Sequence, residues 1–258
     1  HVYFRGMDAT STAASAAMRR RYRRMFRVAR GVFCVSRHVA DRVTALGCPP
    51  EKITVNPSGV VVEDFPPGSP EPGRVVAVGR LVDKKAPHLT LEAFARIAPR
   101  FPEATLDLVG DGPLEARCRE TVAAHGLEGR VTLHGSLPHA EVARLMGRAA
   151  IFAQHSMTAP NGDMEGFPTA IAEAMSSGLC VVTTRHSGIP DHVRDGETGL
   201  TVAEGDVDGM AEALARALAD PDAARRLGAA ARAHALAHLD RARTRRVVRE
   251  AMGLPEPA

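Results

Sequence analysis

The sequence has no two cysteines close enough to act together. Cys34, Cys48, Cys118 and Cys180 are scattered, with no C-x-x-C pair. That argues against a disulfide framework or a cysteine zinc site and for reduced thiols in a cytosol. No apolar run reaches membrane-spanning length and no signal peptide is present, so the chain is expected to be soluble or at most peripheral to a membrane. Charge of one sign is also scarce. A net charge of +3 over 258 residues does not by itself imply nucleic acid. The eleven histidines form no H-x-x-x-H pair on a helix except His234 and His238. That pair has no third ligand nearby and reads as a solvated face. VGDGPLE, residues 109–115, holds a G-x-G but lacks the third glycine of a dinucleotide fingerprint, so no NAD cofactor is expected.

What is present is ordinary in bulk, with 45% hydrophobic and 24% charged residues, enough for one large domain or two modest ones. The chain opens without an initiator Met, on a strand end at residues 1–4 and a site-like loop, Arg5-Gly6-Met7-Asp8. Earlier strands are therefore expected to be missing. Residues 11–30 predict a basic helix, with Met18, Tyr22, Met25 and Ala29 on one face and seven arginines around the rest. It is either a solvated helix packed by its apolar stripe or a surface for anionic lipid headgroups or an acceptor pyrophosphate. Nucleic acid is not expected there, because Tyr22 and Phe26 are its only aromatics and no binding motif follows.

Strands are predicted at 32–36 and 53–55, with Ser36 capping a helix to Leu46. The proline-rich, acidic run 63–73 reads as an interdomain linker. From Arg74 short apolar strands alternate with helices: strands at 75–78, 105–109, 131–133, 150–153 and 179–183, and a short one at 199–202. Such alternation implies a parallel sheet covered on both faces. An Ala- and Arg-rich helical tail should follow Gly205.

The most informative stretch is NGDMEGFPTAIAEAMSSG, residues 161–178. Glu165 and Glu173 stand with seven residues between them. Pro168 suits the first turn of a helix, and Gly178 its C′ end. Glu165 then lies in the loop before the helix, and Glu173 about one and a half turns in. The amides of Thr169 and Ala170 would point out of the N-terminus toward an anion, with one carboxylate on either side. That arrangement suits a sugar joined to a nucleoside by a diphosphate.

EGFPTAIAEAMSSGLCVVTTRHSGIPDHV resembles the E-x7-E segment of retaining glycosyltransferases of family 4, with the two-domain GT-B fold. HSMTAPNGDMEGFPTAIAEAM resembles the branch that builds colanic acid and amylovoran exopolysaccharides. GRLVDKKAP, residues 79–87, resembles the family's G-R-L-x-x-x-K-G motif, with Ala86 in place of the usual glycine. G-x-G-P at Gly110 and GSLPHAEV around Leu137 resemble turns near the nucleotide and its base. The resemblance implies an α/β fold: residues 1–65 are the last part of an incomplete acceptor-side unit, and residues 74–258 a Rossmann-like donor-binding unit. It implies catalytic roles for Lys85, Arg80 and Glu165. Donor contacts fall to Glu173, Gly166, Phe167, Pro168, Thr169, Ala170, Gly110 and Leu137, and acceptor-side contacts to Arg5 and Asp8.

The implied substrates are a nucleotide-diphosphate sugar and a saccharide or polyprenyl-linked acceptor, with no cofactor, in the cytoplasm and at most peripheral to the inner face of the membrane. Two D-x-D strings, Asp206-Val207-Asp208 and Asp220-Pro221-Asp222, spell the metal signature of the other large glycosyltransferase fold. Neither follows a strand. The first reads as a helix start and the second as a break between helices, so no catalytic metal is expected. A non-catalytic nucleotide-sugar-binding module and a nucleotide-sugar epimerase remain as alternative classes.

Overall fold

A computed structural model describes residues 1–10 and 15–255. The first four residues of the predicted basic helix, 11–14, lie outside the described residues. The helix is observed from Ser15, whose hydroxyl accepts the Met18 amide and caps α1 (Ala16–Val28).

The first unit is a three-stranded parallel sheet, β1 (Val2–Phe4), β2 (Val32–Cys34) and β3 (Ile53–Val55), in the order β1-β2-β3. α2 (Arg37–Ala45) follows β2, with the Ser36 hydroxyl accepting the Val39 amide at 3.3 Å. The second unit is a six-stranded parallel sheet. It consists of β4 (Arg74–Val78), β5 (Thr105–Val109), β6 (Val131–Gly135), β7 (Ile151–Gln154), β8 (Cys180–Thr184) and β9 (Leu200–Val202). Their order is β6-β5-β4-β7-β8-β9. The chain builds outward from β4 in one direction, then returns to the centre and builds outward from β7 in the other. The crevice between β4 and β7 is thus a topological switch point, where open α/β sheets bind ligands at the carboxyl ends of their strands.

Strand alternation explains why the sheet is covered on both faces. Val76, Phe152 and Val181 enter a core with the first unit, α5 (His139–Arg148), α6 (Thr169–Ser176) and α8 (Pro221–His238). Their neighbours Val75, Ala77, Ile151, Ala153, Cys180 and Val182 enter the other core with α3 (Pro87–Ile97) and α7 (Val207–Ala219). Successive side chains point to opposite faces, so one apolar run supplies both layers. α4 (Glu115–Ala124) contributes Cys118 and Val122 to this second core. Phe94 and Phe152 are fully buried, each contributing about 1.5–3 kcal/mol of transfer free energy. The four cysteines are buried and unpaired, and burial pushes the thiols of Cys34 and Cys180 up to about 12, which keeps them protonated and inert.

α9 (Arg241–Met252) leaves the second unit and returns to the first. The Val60 amide donates to the Leu239 carbonyl at 2.9 Å, Arg241 N donates to Val60 O at 2.8 Å, and Asn56 Nδ2 donates to Thr244 O at 3.1 Å. The last helix, grouped by sequence order with residues 74–258, therefore makes these contacts with residues 56–60. Among the described residues no helix is long and apolar enough to cross a membrane.

Candidate functional site

The loop after β4 is shaped by the loop after β5. Gly79 N donates to Val109 O at 3.0 Å, Leu81 N to Asp111 O at 2.7 Å, and Leu114 N to Leu81 O at 2.9 Å. Gly110 has φ +136°, and a Cβ there would collide with the Gly79 carbonyl. Its glycine is required by this backbone contact. Beyond Arg80 the chain makes a 3-10 turn over Asp83–Lys85 that ends at Ala86, with φ 38° and ψ 52°. Ala86 is one of two non-glycine residues with positive φ among those described. Ala86 thus takes a left-handed conformation that glycine adopts freely, at a conformational cost of about 1–2 kcal/mol.

This turn brings Lys85 to Glu165. Lys85 Nζ lies 3.5 Å from Glu165 Oε2, and both side chains are 12% exposed. Burial pulls the Lys85 pKa down, and the Glu165 carboxylate opposes that shift. Sequence reasoning passed over Lys84, whose Nζ is 3.5 Å from Glu165 Oε1 and 3.0 Å from Asp163 Oδ2. Arg80 stays exposed at the mouth of the small recess formed with Gly79, Lys85 and Gln154.

The loop that carries Glu165 is fixed from both sides. On one side the Glu165 amide donates to His186 Nε2 at 3.1 Å, and His186 Nδ1 bonds Glu204 Oε1 at 2.6 Å. An Nε2 that accepts is unprotonated, so the proton sits on Nδ1 and is donated to Glu204. The other Glu204 oxygen accepts the Thr158 amide at 2.8 Å. Burial raises the Glu204 pKa, but these hydrogen bonds outweigh it and hold the carboxyl below its ordinary value. His186 stands in the quoted RHSGIP string, but sequence pattern alone gave it no role. On the other side, the Arg5-Gly6 backbone of the first unit presses on Gly166, where a Cβ would collide with the Arg5 carbonyl. Gly188 N donates to Gly166 O at 3.1 Å, closing a seam of glycines between the units.

Pro168 is the N-cap of α6, one residue earlier than its expected place in the first turn, because its ψ of 123° is extended. No side chain caps this end, so the Thr169 and Ala170 amides are left to other acceptors. Gly178, with φ +76°, ends the helix as expected. The Ser176 carbonyl accepts from Arg232 of α8. Glu173 is half-buried, and no hydrogen bond to its carboxylate is found among the described residues. Burial raises its pKa, with His139, Lys85 and Arg241 pulling the other way. The Phe167 ring is buried and packs on His192, with centroids 4.6 Å apart. Leu137 lies in the loop after β6, packed against the core.

Asp8 folds its own loop. Its carboxylate accepts the amides of Arg5, Gly6 and Ala9 at 2.9–3.1 Å. The Arg5 guanidinium donates to Ser58 Oγ at 3.1 Å and is otherwise exposed. Both D-x-D strings serve helix ends. Asp206 accepts the Gly209 amide and Asp220 the Ala223 amide, each at 2.8 Å. Asp208 pairs with Arg96 and Asp222 with Arg225. The His234/His238 pair departs from expectation. His234 is half-buried, with Nε2 3.1 Å from His192 Nδ1, because the turn after β8 packs on α8.

Residues 63–234 match the pattern described as "Glycosyl transferases group 1", and residues 2–64 match "Glycosyltransferase Family 4". A Salmonella typhimurium protein named for colanic acid biosynthesis, WcaL, is 35% identical over 218 residues, 82% of this chain and 53% of its own length. The amylovoran biosynthesis glycosyltransferase AmsK of Erwinia amylovora is 34% identical over 217 residues, 83% of this chain and 53% of its own. The chain spans about half the length of these relatives. The structure of Anabaena HepE in complex with UDP-glucose superposes with a TM-score of 0.84 at 23% identity, covering 98% of this chain and 71% of HepE. Two parallel-sheet units joined at a glycine seam are the GT-B architecture, and the chain belongs to the glycosyl transferases of group 1 and family 4.

Proposed function

We propose that this chain carries the donor-binding unit and adjoining acceptor-side segment of a retaining, metal-independent hexosyltransferase. The donor is a nucleoside diphosphate sugar, and the acceptor is a saccharide or a polyprenyl-linked saccharide in exopolysaccharide assembly. The names of WcaL and AmsK and the UDP-glucose bound to HepE support this reading. The observation that carries it is the Lys85–Glu165 pair at the β4/β7 switch point, in the same unit as the uncapped α6 amides.

In this reading Lys85, Arg80 and the Thr169 and Ala170 amides hold the diphosphate and stabilise the charge that grows on it as the anomeric C–O bond breaks. Glu173 holds the ribose hydroxyls, which would supply its missing hydrogen bonds. Glu165, placed by His186, holds the sugar. The acceptor hydroxyl attacks the face the diphosphate leaves, and the departing diphosphate takes the hydroxyl proton. Arg5 is a poor base because it stays charged, and it serves acceptor or sugar by donating. The exposed arginines of α1 are the surface for anionic lipid on the cytoplasmic side. Replacing Arg20, Arg23, Arg24 and Arg27 with glutamate should abolish co-sedimentation with anionic vesicles.

The test is a melting screen of the chain with UDP, GDP and ADP. A ligand at about 100 times its Kd stabilises by about 2.7 kcal/mol, which raises the midpoint by roughly 5–10 °C for a chain of this size. No shift with any nucleoside diphosphate would overturn the donor assignment. Turnover of the full-length enzyme should survive EDTA, and loss restored by manganese would restore a catalytic role to one of the D-x-D strings.

A further inference from the structure

Away from the donor recess, a cleft of about 320 Å³ opens where the two units, α8 and α9 meet. Its volume is at the small end of ligand sites. Its lining is unusual in charge. Arg37 at the start of α2, Arg194 after the turn at Asp191 and Arg243 on α9 all line it. One carboxylate, Asp191, faces them, and its Oδ2 already accepts the Arg37 amide at 2.8 Å. Arg194 has only a 3.4 Å contact with the exposed Glu197.

Three imidazoles complete the wall. His192 Nδ1 lies 3.1 Å from His234 Nε2, and the His234 and His238 rings stand 4.5 Å apart. A wall of three arginines and three imidazoles with one engaged carboxylate is suited to an oxyanion. We propose that this cleft binds a phosphate group of a ligand other than the sugar donor, held by the Arg37, Arg194 and Arg243 forks and by the imidazoles.

Two consequences follow from the packing. His192 packs on Phe167, two residues from Glu165, so occupancy of the cleft bears on the loop that holds Glu165. Protonation is coupled to binding as well. Burial, then the neighbouring histidines and arginines, push His192 down to about 3 and His234 to about 4. The facing groups are Arg37, Asp191, Arg194, His238 and Arg243. A bound dianion offsets the arginine charge and favours imidazolium, so binding takes up protons and tightens as pH falls.

The experiment follows the side-chain imidazole resonances of the ¹⁵N-labelled chain during titration with inorganic phosphate, pyrophosphate and sulfate. Sulfate stays a dianion across the pH range, so any pH dependence of its binding belongs to the protein's own groups, and His234→Gln separates the histidine share. The three cluster imidazoles should shift saturably, and sulfate should bind more tightly at lower pH. Arg243→Gln, at an exposed position, and His234→Gln should each weaken binding. Arg243→Gln should do so about tenfold or more, the loss of a charged hydrogen bond. Both variants should leave nucleoside diphosphate affinity unchanged, which separates this site from the donor recess. Soluble glycerol phosphate and vesicles of phosphatidic acid distinguish the two sources of the phosphate, and saturable binding of either that is lost in Arg243→Gln upholds the site. Cluster imidazoles that ignore every phosphate probe in the folded chain, or variants that bind as tightly as the parent, would overturn it.

Discussion

Lys85→Ala should remove much of the diphosphate affinity and little of the stability. Lys85 and Lys84 each place Nζ 3.5 Å from a different oxygen of Glu165, and all three side chains are 12% exposed. At an effective dielectric near 20, one unit pair at that separation is worth roughly 5 kcal/mol before desolvation. Burial disfavours the Lys85 ammonium, so much of that attraction is already cancelled in the fold. Breaking a buried pair costs about 3–5 kcal/mol when the partner is left alone. Here Glu165 keeps Lys84, so the expected stability loss is smaller, about 1–2 kcal/mol. A diphosphate held by Lys85, Arg80 and the α6 amides loses one charged hydrogen bond in Lys85→Ala, which weakens it by about 1.5–3 kcal/mol, or roughly 10- to 150-fold. Lys84→Ala should show the reverse order. It frees Asp163, 3.0 Å away, and so loosens the Glu165 loop more than it weakens nucleotide binding. Calorimetry with the stabilising nucleoside diphosphate, beside urea unfolding of both variants, gives the two numbers. Unchanged affinity in Lys85→Ala, or equal losses in both variants, would move the diphosphate away from this strand end.

Glu173→Gln should stabilise the ligand-free chain at pH 7, because a carboxyl whose folded pKa is raised costs stability while ionised. The same change should weaken nucleoside diphosphate binding, and a variant that melts lower would show a hidden partner for Glu173. Glu204 has the opposite sign: its folded pKa is depressed, so its stabilisation is present above its ordinary 4.5 and lost as pH falls through the folded value. Glu204→Gln should flatten the acid limb of the stability–pH curve there, and an unchanged limb would refute the His186–Glu204 account. Ala86→Gly should leave stability within about 1 kcal/mol, since relief of roughly 1–2 kcal/mol of left-handed strain is offset by about 0.4–1 of chain entropy and about 0.8 of lost methyl burial. Urea midpoints test this, and Ala86→Val should lose several-fold more than Ala86→Gly gains or loses.

The sheet was legible because strands buried on both faces read as continuous apolar runs, and each expected strand from Arg74 onward is observed within about two residues. Asp107 is the exception inside β5. It is tolerated at 5% exposure because Arg74 and His134 bond its two oxygens at 2.8 and 2.7 Å. The site was legible only where chemistry and local geometry coincide. Spacing set Glu165 and Glu173 about one helix start, the resemblance added Lys85 at its strand end, and the fold brings Lys85 Nζ within 3.5 Å of Glu165. Lys84, His186 and Glu204 were not legible, because their partners are distant in sequence. The His186 bond to Glu204 spans 18 residues and its bond to Glu165 spans 21. Gly166 was named for donor contact, yet its first constraint is the Arg5 carbonyl of the other unit. Gly166, which lets its loop meet the Arg5 backbone of the first unit, and His186, which holds the Glu165 amide, act on the same two residues of backbone. A change on either unit that opens this seam therefore displaces the Glu165 backbone even when Glu165 itself is untouched.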